Sequence, residues 1–383
     1  MLEDIVVLSM EQAVAAPFAT RQLADLGARV IKVERPQHGD FARDYDRSVL
    51  GQSSYFVWLN RGKESIELDL KNPGDRAIVN RMVDRADVVV QNLAPGAASR
   101  LGLGAESLRA QRPELVHCSI SGYGSTGPYQ RKKAYDLLLQ CETGLLEATG
   151  SADEPAKVGI SVADIATGMY AYSGILAALY ERTSTGQGAT LEVSMLDSLG
   201  EWMCQPAYYA GYGDGVTRRS GARHLSIAPY GPFRASDGVV FLGIQNDREW
   251  STLCRQVLDR PELVADPRFC HNPERVDRNA ELTALLEARF IGFSVMALQA
   301  ALDEAGIANA EVRTPAQLLT HPQLEARQRW RQVQTPAGEV SALAPPVVTE
   351  GREPLMRPVP ALGQHNHALR SEFGGAAEPT STR

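Results

Sequence analysis

The 383-residue chain carries 39 Lys and Arg against 46 Asp and Glu, seven His and five Cys, a formal net charge of -7. At roughly 150 residues per domain the length accommodates two domains, or one large α/β unit with a smaller one appended, either able to bury a full core unaided. The acidic balance supplies no global field for nucleic acid or an anionic membrane, so neither is expected as a partner, and an anionic ligand needs a local basic patch.

The first segment, MLEDIVVLSM, lacks a basic stretch and a small-residue cleavage site and reads as a first strand rather than a signal peptide. Strands are expected at 4–9, 28–34, 65–70, 87–93 and 115–121, with helices around 16–27 and at 73–86. Asn72 and Pro73 mark the start of the 73–86 helix, and Ile78, Val79, Met82 and Val83 fall on one of its faces. Alternating strands and helices imply a largely parallel sheet. Helices follow at 135–148 and 165–182, then a strand at 189–195 and a helical stretch to about residue 210. The uncharged run Ile165 to Tyr180 is shorter than the roughly 18 to 20 residues of a spanning helix. A Gly- and Arg-dense connection at 201–225 separates a unit at 226–325, with a strand at 239–244 and helices near 247–258, 275–291, 294–305 and 315–328. The Pro-rich remainder, 326–383, reads as a return along the surface with a disordered end. The cysteines, Cys118, Cys141, Cys204, Cys254 and Cys270, are odd in number and have no C-x-x-C spacing, which fits reduced thiols in the cytoplasm.

Gly122-Tyr-Gly124-Ser-Thr-Gly127 fits G-x-G-x-x-G and would suggest a nicotinamide-dependent dehydrogenase. Pro128 and the loop YQRKKAY follow where the fingerprint needs a helix, and the motif closes a late strand rather than the first, so that reading is set aside. No P-loop, serine-hydrolase elbow or metal-ligand spacing occurs, and no metal is expected. Asp164 opens a helix. Spacing alone makes it an N-cap; Ala163, Ala166, Gly168 and Gly174 beside it suggest room for a large ligand. Lys32, Arg35, Lys71, Arg100, Arg131, Lys132 and Lys133 fall at strand ends and loops, where a doubly wound sheet binds phosphate-bearing ligands; singly, each also reads as solvated surface charge.

Segments 15–40, 59–75, 91–104, 113–129, 164–188 and 190–199 together resemble the class III CoA-transferases, the group of formyl-CoA transferase, carnitine CoA-transferase and α-methylacyl-CoA racemase. The resemblance implies an α/β fold with a Rossmann-like large domain, 1–200 completed by 340–383, a linker at 201–225, a small domain at 226–325, and ring-like subunits interlocked as a homodimer. It makes Asp164 the nucleophile that carries CoA between carboxylic acids through aspartyl anhydride and aspartyl-CoA thioester, with acyl-CoA as substrate and no permanently bound cofactor. By motif it places Arg35, Lys71, Asn92, Arg100, Lys133 and Tyr135 on CoA, and Val14 where formyl-CoA transferases have Gln, which argues against oxalate or formate. The segment 226–233, with Tyr230 and Gly231, is the candidate oxyanion loop, although the glycine run of some relatives is missing. Racemases have His where Tyr135 stands, and a phenol with an ordinary pKa near 10 is a poor base, so transfer is favoured over epimerisation. Arg43, Arg47, Arg218, Arg219 and Arg223 are spare cations for a second carboxylate, which suggests a small dicarboxylate such as succinate, mesaconate or itaconate, with succinyl-CoA as donor.

Overall fold

The computed structural model describes residues 1–213 and 219–374. They form two compact units, one of 1–144, 158–205 and 323–374, the other of 145–157, 206–213 and 219–322. The division thus differs from a simple split after residue 200: the 145–157 segment, expected within the large domain, belongs to the second unit.

The first unit contains β1 (Val6–Met10), α1 (Ala15–Asp25), β2 (Arg29–Glu34), α2 (Ser54–Leu59), β3 (Lys63–Glu67), α3 (Pro73–Val83), β4 (Val88–Gln91), α4 (Ala97–Arg100), α5 (Ala105–Gln111), β5 (Val116–Ser121) and α6 (Asp136–Glu142). After an excursion through α7 (Leu145–Ala148) in the second unit come α8 (Val162–Thr185), β6 (Thr190–Ser194), α9 (Met195–Trp202) and the start of α10 (Cys204–Tyr212). The six strands form one parallel sheet in the order β3-β2-β1-β4-β5-β6, the Rossmann arrangement. Apolar runs such as Val88-Val89-Val90 serve both faces. Val7, Val30, Val88, Val90, Val116 and Cys118 pack under α1 and α8, whereas Leu8, Ile31, Val33, Ile66 and Val89 pack under α3 and α5. Order reverses between β1 and β4, so the crevice beyond their carboxyl ends is the topological place for a ligand.

Two strands carry lysines where apolar residues are the norm. Lys32 of β2 is fully buried, with its ammonium 2.8 Å from Asp40 Oδ2 and 3.2 Å from Glu11 Oε1. Lys63, the first residue of β3, donates to Glu11 Oε1 at 2.6 Å, Pro17 O at 3.0 Å and Asn60 Oδ1 at 3.0 Å. Glu34 closes the set: Arg43 Nε and Nη2 donate to its two oxygens at 2.9 and 2.7 Å, and the Arg43 guanidinium lies 3.6 Å from the Phe56 ring centre. Burial opposes ionisation of Glu11, but the two lysines outweigh it and hold the carboxyl down at about 2. Lys32 is therefore a structural cation and no ligand group. The third strand, expected at 65–70, runs from Lys63 to Glu67.

The C-terminal return is more ordered than expected. Instead of an irregular surface run, 330–343 forms a hairpin of β10 (Trp330–Thr335) and β11 (Gly338–Leu343), whose Val333 packs with Phe56 and Val359. Its Pro336-Ala337 turn lacks the Asn-Gly or Asp-Gly signal that marks hairpins in sequence. α17 (Asn366–Phe373) then docks Leu369 and Phe373 into the α3 side of the core. α8 is 24 residues long and passes the length and hydropathy test for a bilayer span, but half of that stretch is buried inside the protein, as suits a core helix.

The second unit holds an antiparallel sheet of β7 (Tyr230–Arg234), β8 (Val239–Gly243) and β9 (Ala308–Glu311). Against it lie α11 (Asp247–Thr252), α12 (Asn272–Asp277), α13 (Asn279–Phe290) and α14 (Val295–Glu304) around Trp250, Phe233 and Phe290; α15 (Pro315–Leu318) and α16 (Pro322–Ala326) follow, the latter running into the first unit. The expected helix at 275–291 is two helices broken at Arg278, and that at 315–328 is the short pair α15 and α16.

Lys32→Met leaves Glu11 and Asp40 buried with one fewer counter-charge. Equilibrium denaturation is expected to show a loss of about 3 to 5 kcal/mol, the range for breaking a buried ion pair from one side; a change below about 1 kcal/mol would contradict the structural role assigned to the network.

Candidate active site

The loop from β1 to α1 crosses the crevice between β1 and β4 and is held from two sides, by Asn92 and by Asp40. Asn92, just past β4, accepts from Gln12 N–H with Oδ1 and donates to Gln12 O with Nδ2, both at 2.9 Å. Asp40 Oδ1 accepts from Ala13 N–H at 3.0 Å while its Oδ2 faces Lys32. Ala13 takes a φ of 64°, a conformation alanine rarely adopts, so these hydrogen bonds stabilise an unfavourable turn. Val14, buried among Phe18 and Leu59, then begins α1. The first N–H of that helix, on Ala15, faces the Asp164 carboxylate and favours its charged form.

Asp164 occupies the third position of α8, not its cap, a correction to the sequence reading. Ser161 precedes the helix without a side-chain cap bond. The capping carboxylate comes from Asp136, the first residue of α6: its Oδ1 accepts from the N–H groups of Ala163 at 2.7 Å and Asp164 at 3.3 Å. Asp136 Oδ2 accepts from Gln140 Nε2 at 2.7 Å, and Gln140 Oε1 accepts from Val158 N–H at 2.9 Å. Asp164 retains some surface exposure, yet protein crowds it closely; burial first, then the Asp136 charge, raise its carboxyl to about 7 against the Ala15 N–H.

The small residues beside Asp164 serve packing rather than ligand space. A Cβ on Gly168 would stand 2.7 Å from Ala15 O and 3.0 Å from Phe18, so the glycine lets α8 approach α1 closely enough to bring Ala15 to the carboxylate. Ala163 and Ala166 are fully buried in the same way.

Aromatic residues complete the surroundings, and these the sequence reading missed. Phe41, Tyr45, Tyr55, Trp58 and Phe18 follow one another at centroid spacings of 5.8, 5.4, 6.5 and 5.7 Å. Burial, then the charges of Asp40 and Asp164, raise the Tyr45 phenol to about 12, so it is an O–H donor at every ordinary pH. The signal lay in the clustered aromatics of FARDYDR, of which the sequence reading used only Arg43 and Arg47, and of SSYFVWLN, which it did not use.

The basic candidates separate. Arg35, Lys71, Arg100 and Lys133 are exposed on segments that follow β2, β3, β4 and β5, along the carboxyl edge of the sheet. Arg35 touches Gln12 Oε1 at 3.1 Å, whereas Asn92 is already engaged by the Gln12 backbone. Lys132 pairs with Glu142 and sits 4.4 Å from the Tyr129 ring centre, leaving Lys133 free beside it. Gly122 permits this arrangement, because a Cβ there would meet Ala134 Cβ at 2.2 Å. No helix follows the glycines until Asp136, as the rejection of a dinucleotide fingerprint requires. Tyr135, exposed, precedes α6 and acts electrostatically on Tyr45.

Other candidates are not available. Arg43 is locked onto Glu34, Arg47 pairs with Asp44 at 2.7 Å, and Arg219 joins Glu147 and the Ser151 and Ala152 carbonyls inside the second unit. Arg223 donates to Pro232 O at 2.8 Å, and Arg218 lies outside the described residues. Tyr230 and Gly231 form the start of β7 rather than an open loop: Gly231 pairs with Leu242, and its missing side chain accommodates Arg223, whose Cγ lies 2.8 Å from where a Cβ would be. Tyr230 stacks on His224 at 5.3 Å.

Residues 2–366 match the profile of CoA-transferase family III. The chain belongs to that family. It is 38% identical to the acetyl-CoA:oxalate CoA-transferase of Acetobacter aceti, over 97% of this chain and 95% of that one. Identity to the human succinyl-CoA:glutarate CoA-transferase is 34%, over 96% of this chain and 85% of the relative. The crystal structure of a CAIB/BAIF family protein from Brucella suis superposes with a TM-score of 0.83 at 35% identity, covering 96% of this chain and 98% of the other. The protein is thus a CoA-transferase, an enzyme whose substrates are acyl-CoA esters and carboxylic acids.

Two outcomes are expected of this CoA-transferase. Gly168→Val drives a side chain into Ala15 and Phe18, so both stability, by about 1 to 3 kcal/mol, and turnover are expected to fall; a fully active variant would mean that the α1–α8 approach does not set the site. Because Asp164 is protonated more readily when folded than when unfolded, its contribution to stability falls as pH rises from about 4 to about 7. Asp164→Asn is therefore expected to raise Tm at pH 8 and to leave it unchanged near pH 4, as thermal unfolding at the two pH values will report.

Proposed function

We propose that this enzyme transfers CoA from succinyl-CoA to a small dicarboxylate through covalent intermediates on Asp164. The observation that carries this reading is a carboxylate not spent on its own helix: Asp136 serves the helix N-terminus, and Asp164 faces the Ala15 N–H and the neighbourhood of Tyr45. One carboxylate oxygen attacks the thioester carbonyl, the C–S bond breaks, and a mixed anhydride and CoA thiolate result. The thiolate attacks the Asp164 carbonyl, giving aspartyl-CoA thioester and the free donor acid. The acceptor carboxylate attacks that thioester and expels the thiolate, which then takes the acyl group and returns Asp164 to its starting form. One thioester replaces another, so no net input of free energy is needed. The close protein surroundings of Asp164 keep water from the anhydride.

Arg35, Lys71, Arg100 and Lys133 hold the CoA phosphates on this reading, with Asn92 shaping the loop next to them and Tyr135 at the edge of the site. Dicarboxylate acceptors are supported by the names of two relatives, which act on glutarate and on oxalate. Of the arginines that first suggested a second carboxylate site, Arg43, Arg47, Arg219 and Arg223 have partners elsewhere, and Tyr45, a phenol that stays protonated, takes over as the acceptor's hydrogen-bond donor. Val14, buried and apolar, favours a longer acid than oxalate. The enzyme acts as a homodimer with no resident cofactor, and its five free cysteines accord with a cytoplasmic setting.

The test is incubation with succinyl-CoA, trapping with hydroxylamine and peptide mapping by mass spectrometry. Label at Asp164, absent from Asp164→Ala, is the expected result, with turnover rising as pH passes about 7, since the protonated acid is no nucleophile. Tyr45→Phe is expected to raise KM for glutarate several-fold while leaving KM for succinyl-CoA near its original value. Absence of label together with exchange of the α-proton of a branched acyl-CoA into deuterated water would replace transfer by epimerisation.

A further inference from the structure

A helix whose third residue is aspartate has a ready use for that carboxylate: folding back to accept the free N–H groups at its own start. In α8 this has not happened. Asp136, brought from another helix 28 residues earlier in the chain, accepts from Ala163 and Asp164 N–H, and is itself oriented by Gln140, whose amide oxygen holds Val158 N–H at the approach to α8. Asp164 makes no side-chain bond to its own helix among the described residues. We propose that Asp136 is a positioning residue for the transfer reaction: by capping α8 in place of Asp164, it leaves the reactive carboxylate free to turn toward the acyl-CoA. This rests on Asp164 being the nucleophile.

The two carboxylates also repel each other, so Asp136 has an electrostatic effect besides its steric one. Among the described residues it is the only charged group acting on Asp164. α1 presents the Ala15 N–H. The turn after β2 presents Tyr45, which also feels Tyr135 and Asp40. Arg21 and Asp25, further along α1, pair with each other, and Asp25 pairs also with Arg61. Glu192 of β6 is held by Ser125, and Asp197 of α9 sits at the Ser194-capped start of that helix.

The experiment compares wild type, Asp136→Asn and Asp136→Ala by the rate of hydroxylamine-trapped label at Asp164 as a function of pH, with KM for succinyl-CoA and Tm measured alongside. Asparagine keeps an acceptor oxygen for the cap but removes the charge, so its label rate is expected near wild type at high pH, with the midpoint displaced downward by about one pH unit. Alanine removes the cap. Asp164 then turns back onto its helix, and the label rate is expected to drop about 100-fold with KM for succinyl-CoA within twofold and the protein still folded at assay temperature. An unshifted midpoint in Asp136→Asn would overturn the proposal, as would a loss in Asp136→Ala no larger than its loss of folded protein. Failure of the nucleophile reading is separable, because wild type itself would then carry no label at Asp164.

Discussion

Three carboxylates and three cations, Glu11, Glu34 and Asp40 with Lys32, Lys63 and Arg43, pack together along β2 and at the start of β3, and the geometry of the candidate site hangs from them. Lys32 fixes Asp40, and Asp40 holds Ala13 on one side and Ala42 on the other. The first contact sets the entry of α1 and so the N–H of Ala15; the second starts the turn that carries Phe41 and Tyr45. A charge buried without a partner is costly, so each member of this set constrains the others to a single arrangement. That rigidity is what a site needs whose two walls come from different loops.

Two helix starts converge on Asp164. α1 points its first N–H at the side chain from outside, while α8 carries the residue in its own first turn. In a dinucleotide-binding Rossmann domain the corresponding α1 start receives a pyrophosphate. Here the glycine-rich turn is replaced by Gln-Ala-Val-Ala, and the anion at the helix start is a protein carboxylate. Burial and the Asp136 charge outweigh the favourable Ala15 N–H and raise the carboxyl to about 7, leaving a group that is charged only above neutral pH and poorly solvated when it is. That state suits the proposed role of Asp164 as a nucleophile, then as the acyl part of a thioester, and then as a leaving group.

The parallel sheet was legible because strands buried on both faces read as short runs of Val, Ile and Leu, and their spacing by helices leaves few topologies. α3 was legible from Asn72, Pro73 and the 78, 79, 82, 83 face. The start of β3 at Lys63 was not legible, since a lysine looks like surface until its partners are known. The hairpin of β10 and β11 escaped because its turn lacks the usual residues, although Val333 and the alternation around it were present. At the site, Asp164 was found through its neighbours in sequence and the family resemblance, whereas Tyr45, Tyr55 and Asp136 were not, because nothing local distinguishes a tyrosine in a wall from one at a surface.

The sequence by itself determined the order of strands and helices in the parallel sheet and the placing of an aspartate at the start of a long, small-residue helix. These follow from periodicity and capping preferences that act over a few residues. Only the tertiary structure decided which carboxylate caps that helix, that Gly168 serves the approach of α1 rather than a ligand, and that Lys32 and Arg43 are locked in ion pairs while Arg35 and Lys133 stand open. Those outcomes depend on groups separated by tens of residues meeting in space, where burial and charge pairing, rather than residue type, assign each side chain its part.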